Sequence, residues 1–348
     1  MMLTSFSLNR WLRSVIFLSG MCSLISCSSL SPAKRGTHLA INGTKFDRSV
    51  ELKHFFKGNL HTHSQESDGD APLNTVVEWY KRNGYDFLSM TEHDKLVDTS
   101  SHSTSKFITL PGDEITGRSY RVPIHVNAIC GKSQLKGIRE NRQPGAILQD
   151  QINTARADGA LTIVNHPNFG WAFGAKILRK VGDFDFLEVT SGHPLVNENG
   201  GEKGISHEAL WDDYLTHRGS VWGVGVDDSH HYSDFDIATK ANPGRAWVQV
   251  AAHRLTATEV CSALQRGDFY FSRGPVITRL NVKGPTFTLV VSNWNSSGTV
   301  EFLGESGRTL NTTRTMPAVY QINGSEGYVR ARITLNGARA WTQPYFIQ

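Results

Sequence analysis

Cysteine is scarce in this chain, with four in 348 residues, and two of those, Cys22 and Cys27, fall in the first 27. That count excludes a disulfide scaffold, so the fold must rest on a hydrophobic core. Charge of one sign is also lacking. The formal net charge is +4, and no run of Lys and Arg forms a basic stripe with interleaved aromatics. Nucleic acid is therefore not expected as a dedicated partner. Beyond residue 27 no apolar run reaches the roughly 20 residues of a membrane span. Internal repeats and low-complexity tracts are absent as well.

What is present divides into four stretches. Arg10 and Arg13 precede an apolar segment over 15–25 that is too short to span a bilayer and has the form of a signal segment, assigned here to 1–27. Leu24-Ile25-Ser26-Cys27 looks like a bacterial lipobox. It would make Cys27 the lipidated first residue of a mature, membrane-anchored envelope lipoprotein. A plain secretory signal cleaved nearby is the alternative. Residues 28–53, rich in Ser, Pro, Lys, Gly, Thr and Asn, read as a tether.

Residues 54–275 alternate strand-like and helix-like pieces. Helices are expected over 72–83, 146–157, 206–217 and 257–266, the first opened by Pro72 and stopped by Gly84. Strands are expected over 55–61, 85–91, 107–110, 124–130, 161–164, 184–189, 221–226 and 246–250. This alternation predicts an α/β domain built on a parallel sheet, barrel or open. Residues 276–348 carry no helix signal. Strands over 286–292, 299–303, 328–335 and 341–347, separated by Asn323-Gly324 and Asn336-Gly337, predict a small all-β, sandwich-like module. Its default role is to cap the first domain. Cys130 and Cys261 sit in apolar contexts and are expected as buried free thiols. A disulfide between them requires a proximity that sequence does not supply.

Six of the 14 histidines cluster at the ends of predicted strands. His61 and His63 form a His-x-His pair, and residues two apart in a strand share a face. Asp68 follows in the next loop. His93, Glu114 and His166 each follow a predicted strand, His125 begins one, and Asp228 and His230 end another. Side chains at the carboxyl ends of successive parallel strands converge on one crevice. Imidazole and carboxylate together suit zinc, manganese or iron, with no thiolate in the set. Any one of these histidines is an ordinary core or surface residue by default, but nine candidate ligands at successive strand ends are hard to obtain by chance. Asp227 competes with Asp228, which is preferred for sharing a face with His230. His193 and His231 lie in loops near the proposed site.

The motifs are specific as a set. Gly58-Asn59-Leu60-His61-Thr62-His63-Ser64 with Ser67-Asp68-Gly69 resembles the first motif of the PHP (polymerase and histidinol phosphatase) superfamily. Thr91-Glu92-His93 resembles its second, Asn165-His166-Pro167 its third and Asp228-Ser229-His230 its fourth. Arg245-Ala246-Trp247, Gly267-Asp268-Phe269-Tyr270 and Ala340-Trp341 resemble the exported branch that includes carbaryl-hydrolase-type metallohydrolases. The resemblance implies a distorted (β/α)7 barrel with two or three divalent metal ions at its mouth. His61, His63, Glu114 and Asp228 would hold one ion. Glu114 would bridge to a second held by His125 and His166. Asp68, His93 and His230 would form the third, catalytic site. Two residues depart from the pattern: Glu92 stands where Asp is usual, and Asp68 where some three-metal members have His.

The resemblance and the ligand set imply a metal-dependent hydrolase, a phosphoesterase in which the ions activate a bridging water. Asp68, Glu114 and Asp228 carry about −3 when ionised, against about +4 to +6 from two or three divalent ions, which favours a small anionic ester as substrate. Hydrolysis of carboxylic or carbamate esters is the alternative. A non-catalytic metal- or ligand-binding envelope protein is the third reading, weakened because no proposed ligand is missing. Arg118, Arg121, Lys176 and Arg179 are candidates to add charge for phosphate, or are solvated surface. Phe169, Trp171 and Phe173 wall an apolar pocket or pack in the core.

Overall fold

The computed structural model describes residues 37–39 and 50–347. The expected signal segment, with Cys27, lies outside them. β1 (Thr37–Leu39) and β2 (Val50–Leu52) come first, followed by β3 (Phe55–Asn59), α1 (Leu73–Arg82), β4 (Phe87–Ser89) and β5 (Ile108–Leu110). β6 (Gly112–Ser119) and β7 (Val122–Ile129) form a hairpin, and β8 (Arg139–Glu140) follows. Three crossings come next: α2 (Pro144–Ala157) into β9 (Leu161–Val164), α3 (Ala175–Leu178) into β10 (Phe186–Ser191), and α4 (His207–Arg218) into β11 (Trp222–Val226). β12 (Trp247–Ala251), α5 (Ala257–Arg266) and β13 (Phe269–Ser272) close this half.

Local chemistry explains the helix limits. Pro144 opens α2, where its missing N–H costs nothing. Thr256 caps α5 by accepting from the Glu259 N–H, and Gly267 ends that helix in the left-handed region at φ 76°. α1 buries Val76, Val77 and Tyr80 on one face and places Lys81 and Arg82 in its last turn, where the helix dipole favours cations.

The remaining strands are β14 (Ile277–Lys283), β15 (Thr286–Val291), β16 (Thr299–Leu303), β17 (Thr309–Thr313), β18 (Ala318–Gln321), β19 (Tyr328–Leu335), β20 (Ala338–Thr342) and β21 (Tyr345–Ile347). Among the described residues the architecture is mixed α/β in three sheets. One runs β1-β21-β19-β20-β13-β12-β3-β4-β5, with β16 on β19 and β17 on β16. A second runs β11-β10-β9-β7-β6-β8, and a third β18-β15-β14-β2. None closes on itself. Isolated parallel bridges, Thr62↔Ser229 and His93↔Glu114, join the first sheet to the second just past the ends of β3 and β4. Strand pairing is continuous from β12 through β13 to β20, so the C-terminal strands extend the sheet that carries β3.

Pairing is less uniformly parallel than the strand-helix alternation predicts. β3, β4 and β5 are parallel, as are β9, β10 and β11, but β7 is antiparallel to both β6 and β9. The connection between β6 and β7 is only two residues long, and only antiparallel neighbours can be joined that way. Glu114 therefore sits inside a strand rather than in the loop expected for it. The expectation for the cysteines is overturned. Cys130, at the end of β7, and Cys261, in α5, form a disulfide across a Cα–Cα distance of 6.2 Å. Both side chains are partly buried against the main core, which brings together two sulfurs that sequence separates by 131 positions.

One core lies between the first two sheets and the helices, with Phe87, Phe186, Trp211 and Phe271 among its largest members. Gly58 is required there, because a Cβ would lie 2.1 Å from the Phe87 ring. A second core, including Phe287, Phe302 and Tyr345, fills the space between the third sheet and the C-terminal strands of the first.

Candidate metal centre

The run Leu60-His61-Thr62-His63 leaves β3 at the rim where both bridges lie. Asn59 anchors it: its Oδ1 accepts from the His61 N–H at 3.0 Å and its Nδ2 donates to the Ala246 carbonyl at 3.0 Å. All nine residues singled out above converge here. Their donor atoms fall into four overlapping groups: His63, Asp68, His93 and His230; His61, His63 and Glu114; His61, His166 and Asp228; and His93, Glu114 and His125.

Glu114 is the hub. Its oxygens lie 3.5 Å from His61 Nε2, 3.4 Å from His63 Nε2, 2.9 Å from His93 Nδ1, 3.0 Å from His125 Nδ1 and 3.5 Å from His166 Nε2. Asp228 Oδ1 lies 3.2 Å from His61 Nε2 and 3.4 Å from His63 Nε2. Asp68 lies 3.3 Å from His93 Nε2 and 3.3 Å from His230 Nε2. Two donors about 2.1 Å from one tetrahedral ion stand about 3.4 Å apart, which is the spacing seen here. His61 Nε2, His63 Nε2 and His125 Nδ1 are buried without a well-formed hydrogen bond. Orphaned buried donors of this kind are costly unless an ion completes them. The donor set fits divalent metal binding.

Electrostatics separates the groups. Burial alone would raise the Glu114 carboxyl, but His125, His93 and His61 outweigh it and hold it well below the usual carboxylate range. Asp228 is likewise held down against burial, chiefly by His61 and His63. His63 is depressed to about 3 by burial and then by His230, so its imidazole is neutral. Burial opposes protonation of His93 too, yet Glu114 and Asp68 lift it to about 11.

The structure separates Asp227 from Asp228. Asp227 accepts from the Gly244, Arg245 and Ala246 N–H groups at 2.9, 2.6 and 2.9 Å and from the Tyr80 hydroxyl at 2.8 Å, which ties it away from the cluster. Asp228 enters the cluster for a reason other than strand alternation. β11 has ended at Val226, and Asp228 adopts a left-handed backbone at φ 48°, uncommon for a non-glycine residue and frequent at functional sites.

Several supporting roles escaped the sequence reading, which missed Glu188 altogether and named Asn165 and Glu92 only as parts of motifs. Glu188, fully buried on β10, accepts from His61 Nδ1 at 3.3 Å, which leaves Nε2 for the cluster and adds a carboxylate to the charge count. Its place in the apolar run Phe186-Leu187-Glu188-Val189 was the available signal. Asn165 donates to Glu114 Oε1 at 2.7 Å and to Asn127 Oδ1 at 2.8 Å. Glu92 accepts from the Ser64 N–H at 3.0 Å, from the Ser64 hydroxyl at 2.6 Å and from the Ser67 hydroxyl, pinning the loop that carries Asp68.

Phe169 lies against His166, His125 and His193, with ring centroids 5.2, 6.3 and 6.0 Å apart, while Phe173 is core. Arg179 is paired with Asp213 on the surface, and Arg118, Arg121 and Lys176 are exposed. His231 adjoins His230, their ring centroids 6.5 Å apart, but is in none of the four groups.

No family model and no curated protein matches the chain. Solved structures similar to it include a two-domain protein from Bacteroides vulgatus containing a predicted PHP-like metal-dependent phosphoesterase. That likeness has 18% identity and a TM-score of 0.46, over 91% of this chain and 92% of that one. A putative metal-dependent phosphoesterase from Bifidobacterium adolescentis matches at 15% identity and TM-score 0.36, over 60% of this chain and 96% of its own. An amidohydrolase from Chromobacterium violaceum matches at 13% identity and TM-score 0.37, over 53% and 93%. Similarities of this size carry no argument about chemistry, which rests on the site itself.

Proposed function

We propose that the chain is a metal-dependent phosphoesterase whose site is held by β3, β4, β6, β7, β9, β10 and β11 in the manner of a distorted seven-stranded PHP barrel. The observation that carries this reading is the nine-residue cluster, with donors spaced as shared coordination spheres around Glu114. The two bridges past β3 and β4 support the barrel, since they set β3 beside β11 and β4 beside β6. His61, His63, Glu114 and Asp228 would hold one ion, and Glu114, His125 and His166 a second. Asp68, His93 and His230 would hold a third and act nearest the reacting bond.

Divalent zinc, manganese or iron bound there would supply Lewis acidity and a nucleophile from water at neutral pH. The chain's own residues do the rest. Glu188 and Asn165 fix His61 and Glu114 so that their donors need no reorganisation. Glu92 pins the loop that carries Asp68 by accepting from Ser64 and Ser67. Where only the first two ions are bound, His230 Nε2 and His93 Nε2 share the Asp68 carboxylate, which keeps a proton within reach of a leaving oxygen; a third ion held there would take the place of that proton.

One observation favours the carboxylic- or carbamate-ester alternative. Glu188 adds a carboxylate, so the charge margin that favours an anionic ester is smaller than the three-carboxylate count gives. The deciding experiment compares 4-nitrophenyl phosphate and bis(4-nitrophenyl) phosphate with 4-nitrophenyl acetate and an aryl carbamate, after EDTA treatment and reconstitution with Zn²⁺ or Mn²⁺. Metal-dependent phosphoester turnover inhibited by inorganic phosphate is expected. Turnover of the carbonyl esters alone would replace the phosphoesterase reading, and full activity in metal-free protein would end both. Export and anchoring through Cys27 belong to the same proposal. The Cys130–Cys261 disulfide supports them, because such bonds persist in oxidising compartments.

A further inference from the structure

Beside the metal cluster lies a recess of about 350 Å³ whose lining includes Ser191, Gly192, His193, Glu198, Arg245 and Arg273. His193 is the shared wall. Its ring lies 5.5 Å from that of His230 and 6.0 Å from that of Phe169. Its Nδ1 accepts from the Leu195 N–H at 3.2 Å, which leaves Nε2 as the N–H donor of a neutral ring.

Arg245 is rooted in the same site. Its backbone N–H donates to Asp227, the residue before Asp228, so the start of its side chain is fixed to the segment that enters the cluster. The stem then crosses Gly192, where a Cβ would lie 2.7 Å from both the Arg245 Cβ and the Asp227 carbonyl oxygen. Only glycine admits that crossing.

The charges in the recess do not balance. Arg273 pairs with Glu198 and donates to Thr190 Oγ1 at 3.3 Å. The Arg245 guanidinium forms no ion pair or hydrogen bond among the described residues, although burial and then the neighbouring Arg273 both disfavour its charge. Two guanidinium groups thus share Glu198, while Asp227, which also attracts Arg245, is taken up by three backbone N–H groups and the Tyr80 hydroxyl. A purely structural arginine is expected to carry carboxylate partners on its planar fork, as Arg330 does at Nε and Nη2 with Asp212 and Glu208. The recess shares Glu198, Asn199 and Arg273 with a larger cleft of about 840 Å³, so room remains for the body of an extended ligand.

We propose that the His193–Arg245–Arg273 recess is a subsite for a second anionic group, and that the preferred substrate is an ester bearing a carboxylate or phosphate besides the group presented to the metal cluster. This rests on reading the cluster as a hydrolytic metal centre, but not on which ester it cleaves.

The test uses the metal-reconstituted protein with matched probes: phenyl phosphate against 4-carboxyphenyl phosphate and 1,4-phenylene bisphosphate, and 4-nitrophenyl acetate against 4-nitrophenyl hemisuccinate. Calorimetry compares binding of terephthalate with benzoate. The doubly anionic member should be favoured about 10- to 100-fold, chiefly through KM, as expected for a charged hydrogen-bonded contact. Arg245→Gln should erase that ratio, and Arg245→Lys, which keeps the charge without the fork, should restore part of it. Metal content and far-UV circular dichroism confirm that both variants are intact. The same preference for bisphosphate and carboxylate probes assigns a general anion site, whereas preference for one assigns that group. Phosphoesters cleaved with no preference, or a preference untouched by Arg245→Gln, would overturn the subsite. If no phosphoester is cleaved, the phosphoesterase reading fails by itself. Tighter binding of terephthalate that is lost in Arg245→Gln then still supports the subsite, and equal binding overturns it.

Discussion

The rim of the strands from β3 to β12 and the interior of those from β14 to β21 bury opposite kinds of side chain. At the rim of the first group, His61, His63, Glu114, Glu188 and Asp228 are all buried. They are packed against one another rather than against apolar side chains. The second group buries Phe287, Phe302, Val329 and Ile333 and alternates buried with partly exposed positions along β15, as a half-solvated sheet does. None of the candidate metal groups falls there. Above its own apolar core, the rim of the first region gives up apolar contact to hold like charges and orphaned donors in a fixed geometry, and the second region supplies packing without chemistry. Activity and stability should therefore respond to different residues.

The largest expected effect comes from Glu114→Gln. It removes the carboxylate shared by five histidines, so turnover of the metal-reconstituted enzyme should fall by at least about 100-fold and bound metal should drop with it. Circular dichroism should show a folded protein, because the hub carries little apolar packing. A variant that keeps both metal and activity would show that the cluster is not the active centre. In the other region Phe302→Ala should do the reverse. Phe302 is fully buried, with ring centroids 5.4 Å from Phe287 and 5.3 Å from Tyr320. Its truncation should cost about 3–5 kcal/mol of unfolding free energy, measured by urea titration, with metal stoichiometry per folded molecule unchanged. Loss of metal without loss of stability would break the proposed division.

A third prediction concerns the disulfide, which lies in the catalytic half but acts on stability. Cys130→Ser with Cys261→Ser, or reduction of the wild type, should destabilise by about 2–4 kcal/mol, towards the upper end because the closed loop is long. The loop encloses His166, Asp228 and His230, yet turnover of folded protein should hold. Identical melting curves with and without reductant would contradict the bond.

How far the sequence foretold these contrasts depends on the range of the interactions involved. The His-x-His pair and the ligands at strand ends were legible because they follow local rules of strand direction and periodicity. The C-terminal strands over 328–335 and 299–303 were legible as strand-like runs set apart by Asn and Gly turn signals. The β6–β7 hairpin was not, since Gly112, Asp113 and Glu114 open β6 with turn-like composition while tertiary pairing makes them strand. β13 and β14 were missed because Gly274 and Pro275 between them read as a boundary rather than a bend. Glu188 was hidden in an apolar strand, its meaning visible only once His61 lies beside it. Arg245, Gly192 and Arg273 come from three separate connecting segments, and the disulfide joins positions 131 apart. No periodicity relates such positions. Asp228 was selected for sharing a face with His230, but a left-handed backbone turns it inward.

The smallest expected effect lies at the seam between the two regions. Arg330 of β19, fully buried, reaches α4: its Nη2 donates to Asp212 Oδ2 at 2.6 Å and to Glu208 Oε1 at 2.9 Å, while Arg332 donates to the same Glu208 oxygen at 3.2 Å. Burial alone would raise the Glu208 carboxyl, but Arg330 and Arg332 outweigh it and lower it from its ordinary value of 4.5. A carboxyl depressed in the folded state binds fewer protons there than in the unfolded chain. Its contribution is present above pH 4.5 and is lost as the pH falls through the depressed folded value. Glu208→Gln should accordingly lower stability at neutral pH and flatten its decline below pH 4.5. Asp212 remains to pair Arg330, and Glu301 to pair Arg332, so the variant should still fold. The metal-site carboxylates titrate in both proteins, so the difference between the two urea-denaturation profiles across pH isolates Glu208. Parallel profiles, offset by a constant at every pH, would mean that Glu208 acts at the seam through shape and hydrogen bonding rather than through ionic pairing. Among the described residues, the ionic tie between the C-terminal strands and α4 would then rest on Asp212 and Arg330 alone.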